Sequence, residues 1–166
     1  ATGSLFRGTP DAGQVILSLL NALEPVGRAF MVLDRHGILQ PAAVLSQHEP
    51  ELVRGLLGAD VLEPLGTCIG LAGKAKDGVP ALHVKVLDGP EAGRDITINA
   101  GTIHVLPVGA GQPVTLELRP LGRLSLGLRP GEGVRAEHLQ GGSVGIVLDA
   151  RPRPLVLPTA PTGKTW

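Results

Sequence analysis

The sequence predicts an α+β fold: a predominantly antiparallel β-sandwich or barrel-like structure, with two helices in the N-terminal part. Three observations carry this prediction. Residues 9–58 hold two helix-start signals, each followed by an apolar stripe of helical period. After residue 65, short apolar runs alternate with Gly and Pro at regular spacing. Several of those runs keep one apolar and one polar face, as in Val114, Leu116 and Leu118 against Thr115, Glu117 and Arg119. A two-faced strand of this kind belongs in an antiparallel sheet with one solvated side.

The first helix is expected to start at Thr9-Pro10-Asp11, with Thr9 as N-cap and Pro10 at the first helical position. Its stripe is Val15, Ile16, Leu19, Leu20 and Leu23, and Pro25 ends it. Gly27–Leu33 reads as a strand, followed by turn chemistry at Asp34-Arg35-His36-Gly37. Ile38 and Leu39 open a possible partner strand stopped by Pro41. The second helix starts at Glu49-Pro50-Glu51, carries Val53, Leu56 and Leu57, and ends at Gly58.

Strands are then expected at 67–71, 81–87, 95–99, 102–107, 114–119, 124–128, 134–138, 144–148 and 154–157. Gly141 and Gly142 form a turn before the buried run at 144–148. Residues 1–70 thus make a helix–strand–helix part. Residues 71–158 make an antiparallel β part sharing one core with it, and 159–166 a flexible tail.

Composition narrows the function. Hydrophobic residues make up 43% and charged residues 18%, and the formal net charge is zero. A neutral chain lacks the basic field that nucleic acid or an anionic membrane requires. The aromatics are Phe6, Phe30 and Trp166, too few for base stacking. Cys68 stands alone, so no disulfide forms within the chain. No signal peptide or apolar run of about 20 residues occurs, which points to the cytoplasm. The opening Ala1-Thr2-Gly3-Ser4, without a methionine, suggests a piece of a longer protein.

Motifs for chemistry are sparse. Gly163-Lys164-Thr165 looks like the end of a phosphate-binding loop, but Pro158 stands where that loop needs its first glycine. His36, His48, His83, His104 and His138 show no metal-site spacing, although His83 and His104 could meet across a sheet. Ser143 in GGSVG lacks the surroundings of a nucleophile. The loop 87–96 (Glu91, Arg94, Asp95) and the arginines of 119–135 are compatible with ligand binding or with simple solvation.

The best candidate for contact with a ligand or partner is Asp149, Arg151 and Arg153. Arg151 and Arg153 are two apart, so in an extended segment both project from one face. Pro152 and Pro154 hold the segment extended and remove backbone donors. Paired guanidinium groups suit a carboxylate or phosphate. Two alternatives stay open: Asp149 pairs with one arginine to fix a strand exit, or the arginines serve an anion or partner.

Four stretches carry a resemblance: LLNALEPVGRAFMVLDRHGIL (19–39), LEPLGTCIG (62–70), GTIHVLPVGAGQPVTLELRP (101–120) and GGSVGIVLDARPRPLVLP (141–158). In this order they resemble the C-terminal part of the glutamate mutase accessory protein family, the MutL type unrelated to DNA mismatch repair. The last stretch is the most specific, resembling G-G-x-x-G-[LIV]-x-x-D-A-R-G-R-P-L with Pro152 in place of a glycine. The resemblance implies an accessory ATPase, actin-like in its N-terminal part, that maintains adenosylcobalamin-dependent glutamate mutase. No phosphate-binding segment of that ATPase occurs here. The chain is therefore expected to be a non-catalytic interaction or regulatory module with no cofactor of its own. Its expected partner is a mutase subunit or its own ATPase part, and a homo-oligomer is possible. The alternative is a small-anion or metabolite-binding domain using the two-arginine loop.

Overall fold

The computed structural model describes residues 1–58 and 61–155. Four helices come early in the chain: α1 (Ser4–Arg7), α2 (Ala12–Leu23), α3 (Leu39–Leu45) and α4 (Pro50–Leu57), with β1 (Gly27–Leu33) between α2 and α3. Seven strands follow: β2 (Glu63–Gly70), β3 (Pro80–Asp88), β4 (Asp95–Asn99), β5 (Ile103–Leu106), β6 (Pro113–Pro120), β7 (Val134–Gln140) and β8 (Gly145–Asp149). They make two four-stranded sheets, ordered β1-β2-β8-β5 and β4-β3-β6-β7. The fold is α+β and mostly antiparallel, as the two-faced runs require, and the sheets do not close into a barrel. Among the described residues, only β2 and β8 run parallel.

The first sheet draws β1 and β2 from one half of the chain and β5 and β8 from the other. Its central strand β8 is buried throughout. Ile146 and Leu148 face the second sheet, where they pack with Val84, Leu116 and Leu118. Val147 faces the other way and joins Val15, Ile16 and Leu20 of α2, together with Leu33, Leu65 and Cys68. The order of layers is therefore helix, sheet, sheet. Alternation along β8 is what divides the apolar side chains between two cores.

Polar groups tie the layers. Thr67 is buried between the sheets and donates its hydroxyl to Gln140 O at 2.7 Å. Arg28 on β1 donates to the carbonyls of Glu137 and His138 on β7, each at 3.3 Å.

Five expectations need correction. The N-cap of α2 is Asp11, whose carboxylate accepts from Gly13 N at 2.7 Å, while the Thr9 hydroxyl donates back to Leu5 O. Leu23 leaves the apolar stripe and stands 66% exposed at the last turn. The run 124–128 forms one bridge, Ala72 with Ser125, because the N–H of Leu124 and its carbonyl are taken by turn bonds to Leu121 and Gly131. Pro154 and Leu155 are not in a strand; residues 156 and 157, the tail and Gly163-Lys164-Thr165 lie outside the described residues.

The largest local error is at Ile38-Leu39, where a helix, α3, stands in place of a strand. Asp34 explains it. Its fully buried carboxylate accepts from Ile38 N at 2.8 Å, Leu39 N at 2.9 Å and the Thr2 hydroxyl at 2.9 Å. Pro41 falls in the first turn of α3, where its missing N–H would have had no partner within the helix. Burial pushes the Asp34 carboxyl up, but the N–H groups of Leu39 and Ile38, the Thr2 hydroxyl and the Gly37 N–H outweigh it and hold it below its ordinary value.

A carboxyl depressed in this way stabilises the fold above its unfolded value of about 3.9, and that contribution is lost as pH falls through the lower folded value. Asp34→Asn is expected to be clearly less stable than the parent at pH 6 and to approach it below pH ~3. Urea unfolding at both pH values measures the gap. A gap that stays constant with pH would rule out an ionised Asp34 as the anchor of α3.

Candidate functional site

β8 ends at Asp149, and the chain leaves the sheet through Ala150-Arg151-Pro152-Arg153-Pro154. The Asp149 side chain is completely buried. Its Oδ1 accepts from the N–H of Arg151 at 3.0 Å and from Arg151 Nε at 2.9 Å. Its Oδ2 accepts from Arg151 Nη2 at 2.8 Å and Arg153 Nη2 at 2.6 Å. The structure thus brings all three predicted residues together, and Asp149 holds both arginines rather than one. The i, i+2 spacing is the cause: it sends both guanidinium groups back to the same carboxylate.

The arginines also reach α2. Arg151 Nη1 donates to Asn21 Oδ1 at 2.7 Å, and Arg153 Nη1 donates to Leu20 O at 3.4 Å. Glu24, the left-handed residue that caps α2, accepts from Leu155 N at 3.0 Å. Cations at a helix C-terminus meet the negative end of the helix dipole. The cluster therefore clamps the last turn of α2 onto the end of β8.

The two cations of this cluster are unequally paired, because Glu24 makes no ion pair with either guanidinium. Asp149 is the only carboxylate paired with either guanidinium among the described residues. The Arg153 side chain is 7% exposed, and its Nε–H has no acceptor. Arg153 lines a cleft of about 290 Å³ with Pro152, Pro154, Ala75 and Lys74. Lys74 is exposed and makes no ion pair among the described residues. No local pattern marks Lys74, because the loop 73–78 meets Arg153 only in the folded chain.

The other chemical candidates separate. His83 on β3 pairs with Asp95 at 2.6 Å on the outer face of the second sheet, while His104 lies on β5 of the first, so the two do not meet. His104 Nε2 is buried without a partner. Glu91 pairs with Arg94, and Arg135 with Glu137 at 3.0 Å. Arg119, Arg123, Arg129 and Arg135 are all exposed. Cys68 lies against Met31 Sδ at 3.5 Å; burial, and then the charge of Asp149, push its thiol up to about 12. Among the described residues, no three His, Cys, Asp or Glu side chains gather in a way that could hold a metal ion.

A cleft of about 660 Å³ is lined in part by Arg35, His36, Glu63 and Gly111. Arg35 Nε donates to Glu63 Oε2 at 2.7 Å. That contact holds the Glu63 carboxyl below its ordinary value against burial, and the Ser143 hydroxyl adds to the effect. Ser143 thus lies beside a carboxylate. The turn chemistry of Asp34-Arg35-His36-Gly37 carries no local sign of this cleft.

The opposite flank of α2 is apolar and open. A groove of about 200 Å³ runs between α2 and β5, lined chiefly by Ile16, Leu17, Leu20, Ile103, Val105 and Val144. Leu17 is 44% exposed and Val105 42%. β5 is an edge strand of the first sheet, and α2 carries no charged residue along its whole length. No helix among the described residues is long and apolar enough to cross a membrane. No family model, curated protein or solved structure matches the chain.

Proposed function

We propose that this chain is a non-catalytic interaction module that docks a protein partner along the α2–β5 flank. The observation that carries this reading is an apolar groove placed beside the free edge of a strand. A strand edge is satisfied by extended backbone, and alternate apolar side chains of that backbone would enter the groove. The uncharged surface of α2 selects a neutral, apolar segment. The polar cluster at Asp149 has a different part: it fixes α2, and so fixes one wall of the groove.

The resemblance to the glutamate mutase accessory family names the partner to test: a subunit of the adenosylcobalamin-dependent mutase, with the accessory ATPase part as the other outcome. Regulation then consists of holding that subunit, with no cofactor required from this chain. Co-purification of the chain with mutase subunits tests the reading. Leu17→Asp/Val105→Asp changes two exposed positions and is expected to keep the circular dichroism of the parent and to lose the mutase subunit. Failure of the unaltered chain to retain a mutase subunit would overturn the assignment, as would retention that the double variant leaves unchanged. Binding to the ATPase part alone, or a dimer of this chain that the double variant separates, would assign the flank to that partner and remove the mutase.

A further inference from the structure

At the end of β8 the two guanidinium groups are unequally paired. Two guanidinium groups, both largely buried, share the single carboxylate of Asp149. The C-terminal dipole of α2 and the Glu24 carboxylate, which accepts from Leu155 N at 3.0 Å, supply further negative charge without an ion-pair contact to either guanidinium. A largely buried cation gains from a direct anionic contact that neither of these makes. Arg153 is the less compensated of the two. Arg151 is held side-on by both carboxylate oxygens, whereas Arg153 makes one contact to Oδ2 and keeps an unpartnered Nε–H.

The cleft beside Arg153 has the matching features. Pro152 and Pro154 flank Arg153 and give this stretch no N–H of their own. Lys74 reaches the same cleft from the loop after β2 with its ammonium free of any acid among the described residues. The loop is fixed to the arginine segment by the Arg153 N–H, which donates to Gly73 O at 3.3 Å. An exposed ammonium and a largely buried guanidinium around a small cleft form a site for one compact oxyanion.

We infer that the Lys74–Arg153 cleft binds a small oxyanion, a carboxylate or a phosphate group. The anion gives Arg153 a second direct anionic contact and links the loop after β2 to the end of β8. This site uses none of the residues of the α2–β5 groove, so it stands or falls separately from the interaction reading.

Isothermal titration of the whole chain with inorganic phosphate, and separately with acetate, at constant ionic strength tests the inference. Saturable binding to one site is expected, with the two titrations showing whether phosphate or carboxylate is preferred. Lys74→Ala is expected to weaken binding by about tenfold, as loss of one charge-assisted contact does, and Lys74→Glu to abolish it. Because Lys74 is exposed and unpaired, both variants should keep the parent's unfolding midpoint in chloride alone. No saturable binding of either anion up to 100 mM would overturn the site. Binding that Lys74→Glu leaves intact would overturn it equally, by placing the anion elsewhere.

Discussion

Asp149→Ala is expected to destabilise the protein by about 3–5 kcal/mol, the usual consequence of removing one partner from a buried ion pair. The carboxylate is wholly buried and accepts four hydrogen bonds, three from Arg151 and one from Arg153. Alanine would leave two guanidinium groups facing each other across an apolar space, together with an unpaired backbone N–H. Asp149→Asn keeps the shape and removes the charge, so it separates packing from electrostatics and should be nearly as damaging. Arg151→Ala removes a cation that is 18% exposed and should cost less than either. Urea unfolding gives the values, and hydrogen exchange in the last turn of α2 gives the place. A loss under 1 kcal/mol in Asp149→Ala, or an α2 terminus that exchanges no faster, would remove the clamp from the account of this fold.

A second large effect is expected at Gly66, by a different mechanism. Gly66 on β2 lies opposite Gly145 on β8, with φ of 132° and 109°. A Cβ on Gly66 would overlap the carbonyl of Gly145, and one on Gly145 would overlap the carbonyl of Leu106. Three strands therefore approach at a point where no side chain fits. Gly66→Ala combines a backbone conformation that L-residues avoid with overpacking against a neighbouring backbone, roughly 3 kcal/mol or more in all. Gly93→Ala is the matched control: φ is 88° there, and nothing stands within 4 Å of a new Cβ. That substitution should cost only about 1–2 kcal/mol from the backbone alone. Equal losses at the two positions would show that backbone strain dominates and that the close approach of β2 and β8 does not matter.

Both effects arise in stretches whose meaning the sequence shows only in part. The glycines of GGSVG read as a turn before a buried strand, and β8 is indeed that strand. The structure adds the reason for Gly142: a Cβ there would collide with the backbone between Pro64 and Gly66 of β2. Asp34 reads as a turn residue, because its role depends on N–H groups four and five residues later. Lys74 and Arg153 are 79 positions apart by their numbering, and no local pattern reports their meeting. His83 and His104 fail to meet for the converse reason: β3 and β5, separated in the sequence by β4 alone, belong to opposite sheets.

What the sequence determined by itself is what local physics controls. Periods of two and 3.6, Pro and Gly punctuation, and the Pro50 start and Gly58 end of α4 follow from backbone sterics and from which side chains leave water. The i, i+2 spacing of Arg151 and Arg153 likewise set their common direction before any fold was known. The tertiary structure alone decided strand order, the parallel pairing of β2 with β8, the attachment of α2 by the two arginines, and the flank left open beside β5. Those outcomes depend on burial and charge compensation between segments distant in the chain. They are settled by how the layers stack, and a residue's own neighbours carry no record of that.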